Sequence, residues 1–208
     1  MGHTFDREYW DEHWGGHNDD EHRPPTPVSP YLARETTRLT PGTALEAGCG
    51  AGTEALWLAR HGWDVTGADL SSAALARAAR AAEAEGLAGS VEWIEADLMT
   101  WEPARSWDLV TTHYAHPDAG QLAFYERLAR WVAPGGTLLI VGHLHDARPA
   151  ANEHPEEATA TIEGVRSRFP APGWEAQAAY EHERRLTLAG RELTLHDVVV
   201  RLRRAGRS

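Results

Sequence analysis

The chain has 208 residues, 42 % of them hydrophobic, and a formal net charge of −11. That length suits one domain with a real core, and the charge opposes a nucleic-acid partner, because phosphate binding needs a basic surface. All 20 Lys+Arg positions are arginine and cysteine occurs once, as Cys49, which excludes Schiff-base chemistry, a Gly-Lys-Ser/Thr phosphate loop, an intrachain disulfide and a CxxC zinc site.

No apolar run approaches the length of a membrane span. The opening MGHTFDREYWDEHWGG is polar and acidic, unlike a signal peptide. The expected address is the cytoplasm, with no membrane partner.

Residues 5–14 read as a short helix, and residues 15–30, with Gly15, Gly16 and four prolines, as an extended loop. YLARETTRL (31–39) fits a helix stopped by Pro41-Gly42. Strands and helices then alternate. TALEA (43–47) is a strand, EALWLARH (54–61) a helix and WDVTGA (63–68) a strand. SSAALARAARAAEAEG (71–86) is an alanine-rich helix opened by Ser71 and closed near Gly86. VEWIEA (91–96) and WDLVTTH (107–113) are strands, QLAFYERLARWV (121–132) a helix and GGTLLIVGH (135–143) a fifth strand. This order predicts parallel strands with helices on both faces. After a polar loop, PEEATATIEGVRSRF (155–169) has acids at its start and arginines at its end, as a helix dipole favours. WEAQAAYEHERRLTL and ELTLHDVVVRLRR flank AGR and predict a terminal antiparallel hairpin.

The chemistry concentrates where the first strand ends. Gly48, Gly50 and Gly52 alternate between that strand and its helix. Glycine there permits positive φ and lets a ligand lie against bare backbone. The spacing is G-x-G-x-G, whereas a dinucleotide fingerprint places its third glycine one residue later. Glu46, two residues before the first glycine, would repel a pyrophosphate and suits an ammonium or sulfonium. Asp69 ends the second strand, where an acid accepts from ribose hydroxyls. Asp97 follows the third strand and can accept from an exocyclic adenine amine. Together they trace a nucleoside pocket along the C-terminal ends of the strands.

On these residues the chain resembles the class I S-adenosylmethionine-dependent methyltransferases. LEAGCGAG resembles their motif I, VTGADLS the ribose motif, EADL the adenine motif, WDLVTTH motif IV and WVAPGGTLLIVGH the fifth-strand motif. The finer resemblance is to small bacterial enzymes of the tellurite-resistance and thiopurine type. It implies an α/β, Rossmann-like, doubly wound seven-stranded sheet in the order 3-2-1-4-5-7-6, with the last strand antiparallel, in a three-layer sandwich. It implies a cover over residues 1–40 and a methyltransferase domain over 41–208.

It also implies S-adenosylmethionine as cofactor, S-adenosylhomocysteine as product and a small-molecule acceptor at O, N, S or C. The amino-acid group lies beside Gly48, Cys49, Gly50 and Gly52, with the ribose on Asp69. The adenine lies beside Leu70, Asp97 and Leu98, and Thr112 borders the same site. Glu46 acts through the loop's hydrogen bonds or on the ammonium. The family has no universal catalytic residue, since the reaction needs mainly alignment. His116 or His143 is the expected base, ahead of His113, because both loops leave the sheet at its ligand edge. Tyr114 and His145 line the acceptor pocket, and Trp10, Trp14 and Tyr31 lie in the cover. His143, His145 and Asp146 with a third histidine could make a metal-ligand set, but no metal is assigned. The alternatives are a non-catalytic S-adenosylmethionine-binding module and a nicotinamide-dependent reductase. The second lacks both the third glycine of its fingerprint and any Tyr-Lys pair.

Overall fold

The computed structural model describes residues 10, 27–117, 120–144, 159–188 and 191–206. Helix α1 spans Pro30–Thr36, α2 Thr53–Arg60, α3 Ser72–Ala84, α4 Gln121–Ala129 and α5 Ile162–Ser167. The strands are β1 (Thr43–Ala47), β2 (Asp64–Asp69), β3 (Val91–Glu95), β4 (Trp107–His113), β5 (Val132–Leu144), β6 (Thr159–Ala160), β7 (Trp174–Leu188) and β8 (Arg191–Arg204). They form one sheet with the path β3-β2-β1-β4-β5-β8-β7, and β6 adds beside β5. Without the two-residue β6, this is the expected seven-stranded order 3-2-1-4-5-7-6. β1 to β5 are parallel, and β8 is antiparallel to both its neighbours.

Side-chain alternation along each strand divides the core into two layers. Leu45, Val110, Leu138, Ile140, Val198 and Val200 pack with Phe124, Tyr125 and Leu128 of α4 and Val165 of α5. Ala44, Leu109, Leu139, Val141 and Val199 face the opposite way, onto Tyr31 and Leu32 of α1 and Ala55, Leu56 and Leu58 of α2. Helices therefore cover both faces, as the alternating pattern requires. In α1, Tyr31, Leu32, Glu35 and Thr36 are the buried residues, the i, i+4 stripe of a helix with one face on a sheet. Ala74, Ala78 and Ala82 make the equivalent stripe on α3. Ser71 opens that helix by accepting from the Ala74 amide, as an N-cap should.

Two boundaries differ from the sequence expectation. α4 stops at Ala129, and β5 begins at Val132, because Val132 pairs with Trp107 across an irregularity in β4. The helix expected over 155–169 is confined, among its described residues, to Ile162–Ser167. Ahead of it Thr159 and Ala160 pair with His143 and Leu144 of β5. Thr161 then caps the helix, its hydroxyl accepting from Gly164 N at 3.0 Å. The β-branched Thr159 suits a strand. Most of the expected cover, residues 1–9 and 11–26, lies outside the described residues, as do Trp14, His145 and Asp146. No described helix is long and apolar enough to cross a membrane.

Candidate active site

The glycine loop is built by left-handed backbone. Gly48, Gly50 and Gly52 have φ of 75°, 51° and 83°, a region that side chains disfavour. Gly52 is also sterically required, because a Cβ there would lie 2.6 Å from Trp93 and 2.8 Å from Ala78. A Cβ on Gly48 would lie 2.6 Å from that of Ala115, so the glycine loop abuts the loop after β4. Gly48 N and Cys49 N both donate to Ala68 O. Asp69 completes the frame: one carboxylate oxygen accepts from Gly50 N at 2.8 Å and the other from Ser71 N at 2.9 Å. The expected ribose acceptor thus also holds the glycine loop to the end of β2. Leu70 beside it is half-buried.

Glu46 lies on the β1 face that carries Ala44, and Thr111 is its register partner on β4. Two residues on, His113 Nδ1 meets Glu46 Oε1 at 3.0 Å, with both side chains buried. A carboxylate only accepts, so Nδ1 donates. Burial alone would lower the His113 pKa, but the Glu46 carboxylate overrides it by charge and hydrogen bond, and Glu54 adds to this, leaving it raised. Burial also raises Glu46, against the pull of His113. Glu46 Oε2 and His113 Nε2 are both buried, with no hydrogen-bond partner among the described residues. A carboxylate oxygen lacking a donor beside left-handed glycines fits the ammonium of an amino-acid group, as S-adenosylmethionine carries.

The other cofactor candidates divide into two kinds. Thr112 is buried, and its hydroxyl donates to Ala47 O at 2.8 Å, tying β4 to the root of the glycine loop. Cys49 is buried, and its thiol is pushed well up by burial and by the neighbouring Asp69 and Glu46, which keeps it protonated. Leu98 belongs to the core. Asp97 is exposed and folds its own turn, accepting from Met99 N at 2.9 Å and Thr100 Oγ1 at 3.0 Å.

The acceptor candidates assemble into a column of rings. His116 lies parallel to Trp10 (6.3 Å between centroids, 3° between planes) and to His143 (5.6 Å, 10°). His143 in turn meets Tyr114 at 4.8 Å. Tyr114 has φ of 55°, uncommon for an aromatic residue and frequent at functional sites. Tyr31, within the span expected as the cover, is buried in α1, and its hydroxyl donates to Asp197 at 2.8 Å.

Arg184 and Asp197 join this column without having been singled out in the sequence. Asp197 is fully buried on β8 opposite His143. Arg184 on β7 donates from Nε to Asp197 and from Nη2 to the Tyr114 hydroxyl at 2.8 Å. His182 Nδ1 reaches the Tyr31 hydroxyl at 2.8 Å. The available signal was a charged residue against a valine run, HDVVV, in a strand otherwise read only for its hairpin. Among the described residues, no group of three or more His, Cys, Asp or Glu could hold a metal ion.

Sheet order and glycine loop together match the Rossmann-like methyltransferase fold. Comparison with known proteins agrees. Residues 44–136 match the family model described as a methyltransferase domain. Trans-aconitate 2-methyltransferase of Azoarcus sp. (strain BH72) is 32 % identical over 157 residues, 70 % of this chain and 58 % of that protein. A structure reported for conversion of a disulfide bond into a thioacetal group during echinomycin biosynthesis superposes with a TM-score of 0.72 at 26 % identity. That match covers 97 % of this chain and 93 % of the other. A SAM-dependent methyltransferase from Geobacter sulfurreducens, in complex with S-adenosyl-L-homocysteine, shares the fold at TM-score 0.62 and 23 % identity, over 82 % and 74 % of the two chains. The chain spans about half or less of the length of the first curated relatives it matches. Residues 44–136 are thus similar to a methyltransferase domain, and the sheet order is that of the Rossmann-like methyltransferase fold.

Proposed function

We propose that this chain transfers a methyl group from S-adenosylmethionine to a small-molecule acceptor held against Tyr114, His116 and His143. The observation that carries the reading is the glycine loop, with three left-handed glycines tied to Asp69, abutting the loop that presents these rings. The cofactor supplies a methyl on a sulfonium, a leaving group that needs no activation. The chain's task is then alignment and exclusion of water. Bare backbone at Gly48–Gly52 allows close approach to the start of α2, and Asp69 keeps that backbone in place. Leu70, Asp97 and Leu98 border the adenine, as the motif resemblance implies. From the expected cover over residues 1–40, Trp10 stacks on His116 at the acceptor while α1 packs on the sheet; Trp14 and His145 are assigned to the acceptor from the sequence alone.

Where the acceptor carries a proton, His116 or His143 takes it, since imidazole titrates near neutrality. His113 is less suited, because its ring is committed to Glu46. A second reading is favoured by the relatives: one is named for trans-aconitate and another was solved for a reaction at a disulfide. A carboxylate or thiolate acceptor is already ionised and needs no base, so the imidazoles would only shape the pocket.

The test is transfer of labelled methyl to a metabolite panel, followed by His116→Ala and His143→Ala at saturating cofactor. Loss of a hundredfold or more in turnover, with cofactor affinity intact, identifies the base. Loss of less than tenfold in both variants supports the ionised acceptor. No transfer to any panel member, by protein that binds the cofactor, supports a non-catalytic binding module.

A further inference from the structure

The buried pair beneath the glycine loop carries an inference about cofactor binding. Four buried side-chain atoms in this region have no hydrogen-bond partner among the described residues: Ser29 Oγ, Glu46 Oε2, Thr111 Oγ1 and His113 Nε2. The topology gathers them. Glu46 and Thr111 are register partners, His113 is two residues further along β4 on the same face, and Ser29 N is tied to Glu54 Oε1 of α2 at 3.0 Å. Buried polar atoms without partners are costly, and native structures leave few of them. A site that leaves this many together, one of them on a carboxylate, is built to receive a donor.

The charged and titratable groups around His113 are few among the described residues. β1 presents Glu46, α2 presents Glu54, and the glycine loop adds Cys49, whose thiol stays protonated. β5 presents only Val141 as the register partner of His113. The local charge balance is therefore set by one buried carboxylate, one imidazole and one nearby acid. With His113 protonated, the Glu46 charge is already neutralised. A second cation at Oε2 would put two positive charges on one buried carboxylate, where water screens little.

We propose that His113 gives up a proton when Glu46 receives the ammonium of the cofactor's amino-acid group, so that cofactor binding is linked to proton release. This rests on the methyltransferase reading above. Release is largest where His113 is charged in the free protein, and Glu46 holds it charged to higher pH than an isolated histidine. By linkage, affinity rises with pH, at most about tenfold per pH unit, and levels off once His113 is neutral in the free state. His113 is thus a positioning residue: it occupies and orients Glu46 until the ligand takes over.

Isothermal titration at about pH 6.5, the reference pKa of histidine, in two buffers of different ionisation enthalpy counts the protons. Two ligands are compared: S-adenosylhomocysteine, which has the ammonium, and 5′-methylthioadenosine, which lacks the amino-acid group. We expect release of about 0.5–1 proton with the first and none with the second. His113→Asn keeps an N–H for Glu46 but cannot titrate, so release falls to zero and the pH dependence of affinity flattens. Glu46→Gln removes the carboxylate and also abolishes release. Equal release from both ligands, undiminished release in His113→Asn, or no release on tight binding of S-adenosylhomocysteine to the wild type would each overturn the proposal. The two-ligand comparison needs no variant, so it decides the matter even where a variant fails to fold. Failure of the wild type to bind S-adenosylhomocysteine at all would instead remove the cofactor reading, and this inference with it.

Discussion

A methyl group added at Gly52 has no room. Its carbon would lie 2.6 Å from the Trp93 ring and 2.8 Å from Ala78 Cβ, on backbone with φ of 83°. The backbone term for a side chain in this region is about 1–2 kcal/mol. Forcing a carbon into a packed site adds about 1–3 kcal/mol, because neither the indole ring nor the helical Ala78 can move independently. Gly52→Ala should therefore cost roughly 2–5 kcal/mol, a fall in Tm of about 4–20 °C for a chain of this size. Gly86 is the matched control: its φ is 71°, and nothing lies within 4 Å of where its added methyl would sit. Gly86→Ala carries the backbone term alone, about 1–2 kcal/mol, reduced by the entropy lost from the unfolded chain. Urea unfolding of the two variants isolates the packing term. Equal destabilisation of Gly52→Ala and Gly86→Ala would refute the claim that Trp93 and Ala78 fill the space beneath the loop.

Thr112→Val deletes the hydroxyl that holds Ala47 O and should cost about 1–3 kcal/mol in urea unfolding, because a buried carbonyl loses its donor. Arg184→Met leaves Asp197 buried with one donor fewer, and should cost about 3–5 kcal/mol; a loss below about 1 kcal/mol would mean that the pair is not closed in solution. The raised pKa of His113 also predicts a slope of stability with pH. The folded state holds this proton to higher pH than the unfolded chain, so its contribution is present below about pH 6.5 and is lost as pH rises through the folded value. Wild-type protein should lose stability over that window relative to His113→Asn, as thermal unfolding at matched pH values would show.

What was legible in the sequence is what depends on neighbours along the chain. Strand-helix alternation, the Ser71 cap and the three glycines all express local backbone preference, and they place the glycine loop before any fold is drawn. The Glu46–His113 pair spans 67 residues and exists only because β1 pairs with β4 in one register. Each residue was a candidate by itself, while their contact was not readable. Arg184 and Asp197 were missed for the same reason: the hairpin pattern predicts that their strands pair, not which side chains meet Tyr31 and Tyr114. The two-residue β6 is too short to leave a periodic signal. Asp97 shows the limit of motif reading. The EADL motif assigns it to the adenine edge by resemblance, while its carboxylate is engaged in folding its own turn.

The central claim is that the loop from Glu46 to Gly52, fastened by Asp69, is the cofactor site. Calorimetric titration with S-adenosylhomocysteine, alongside NADH, tests it directly. Asp69 accepts from Gly50 N of the loop and from Ser71 N ahead of α3, and a hydrogen bond to a charged group is worth about 1.5–3 kcal/mol. The wild type should bind S-adenosylhomocysteine at one site per chain and should not bind NADH. Asp69→Ala should bind about ten- to a hundredfold more weakly. Absence of wild-type binding, or an unchanged affinity in Asp69→Ala, would contradict the account.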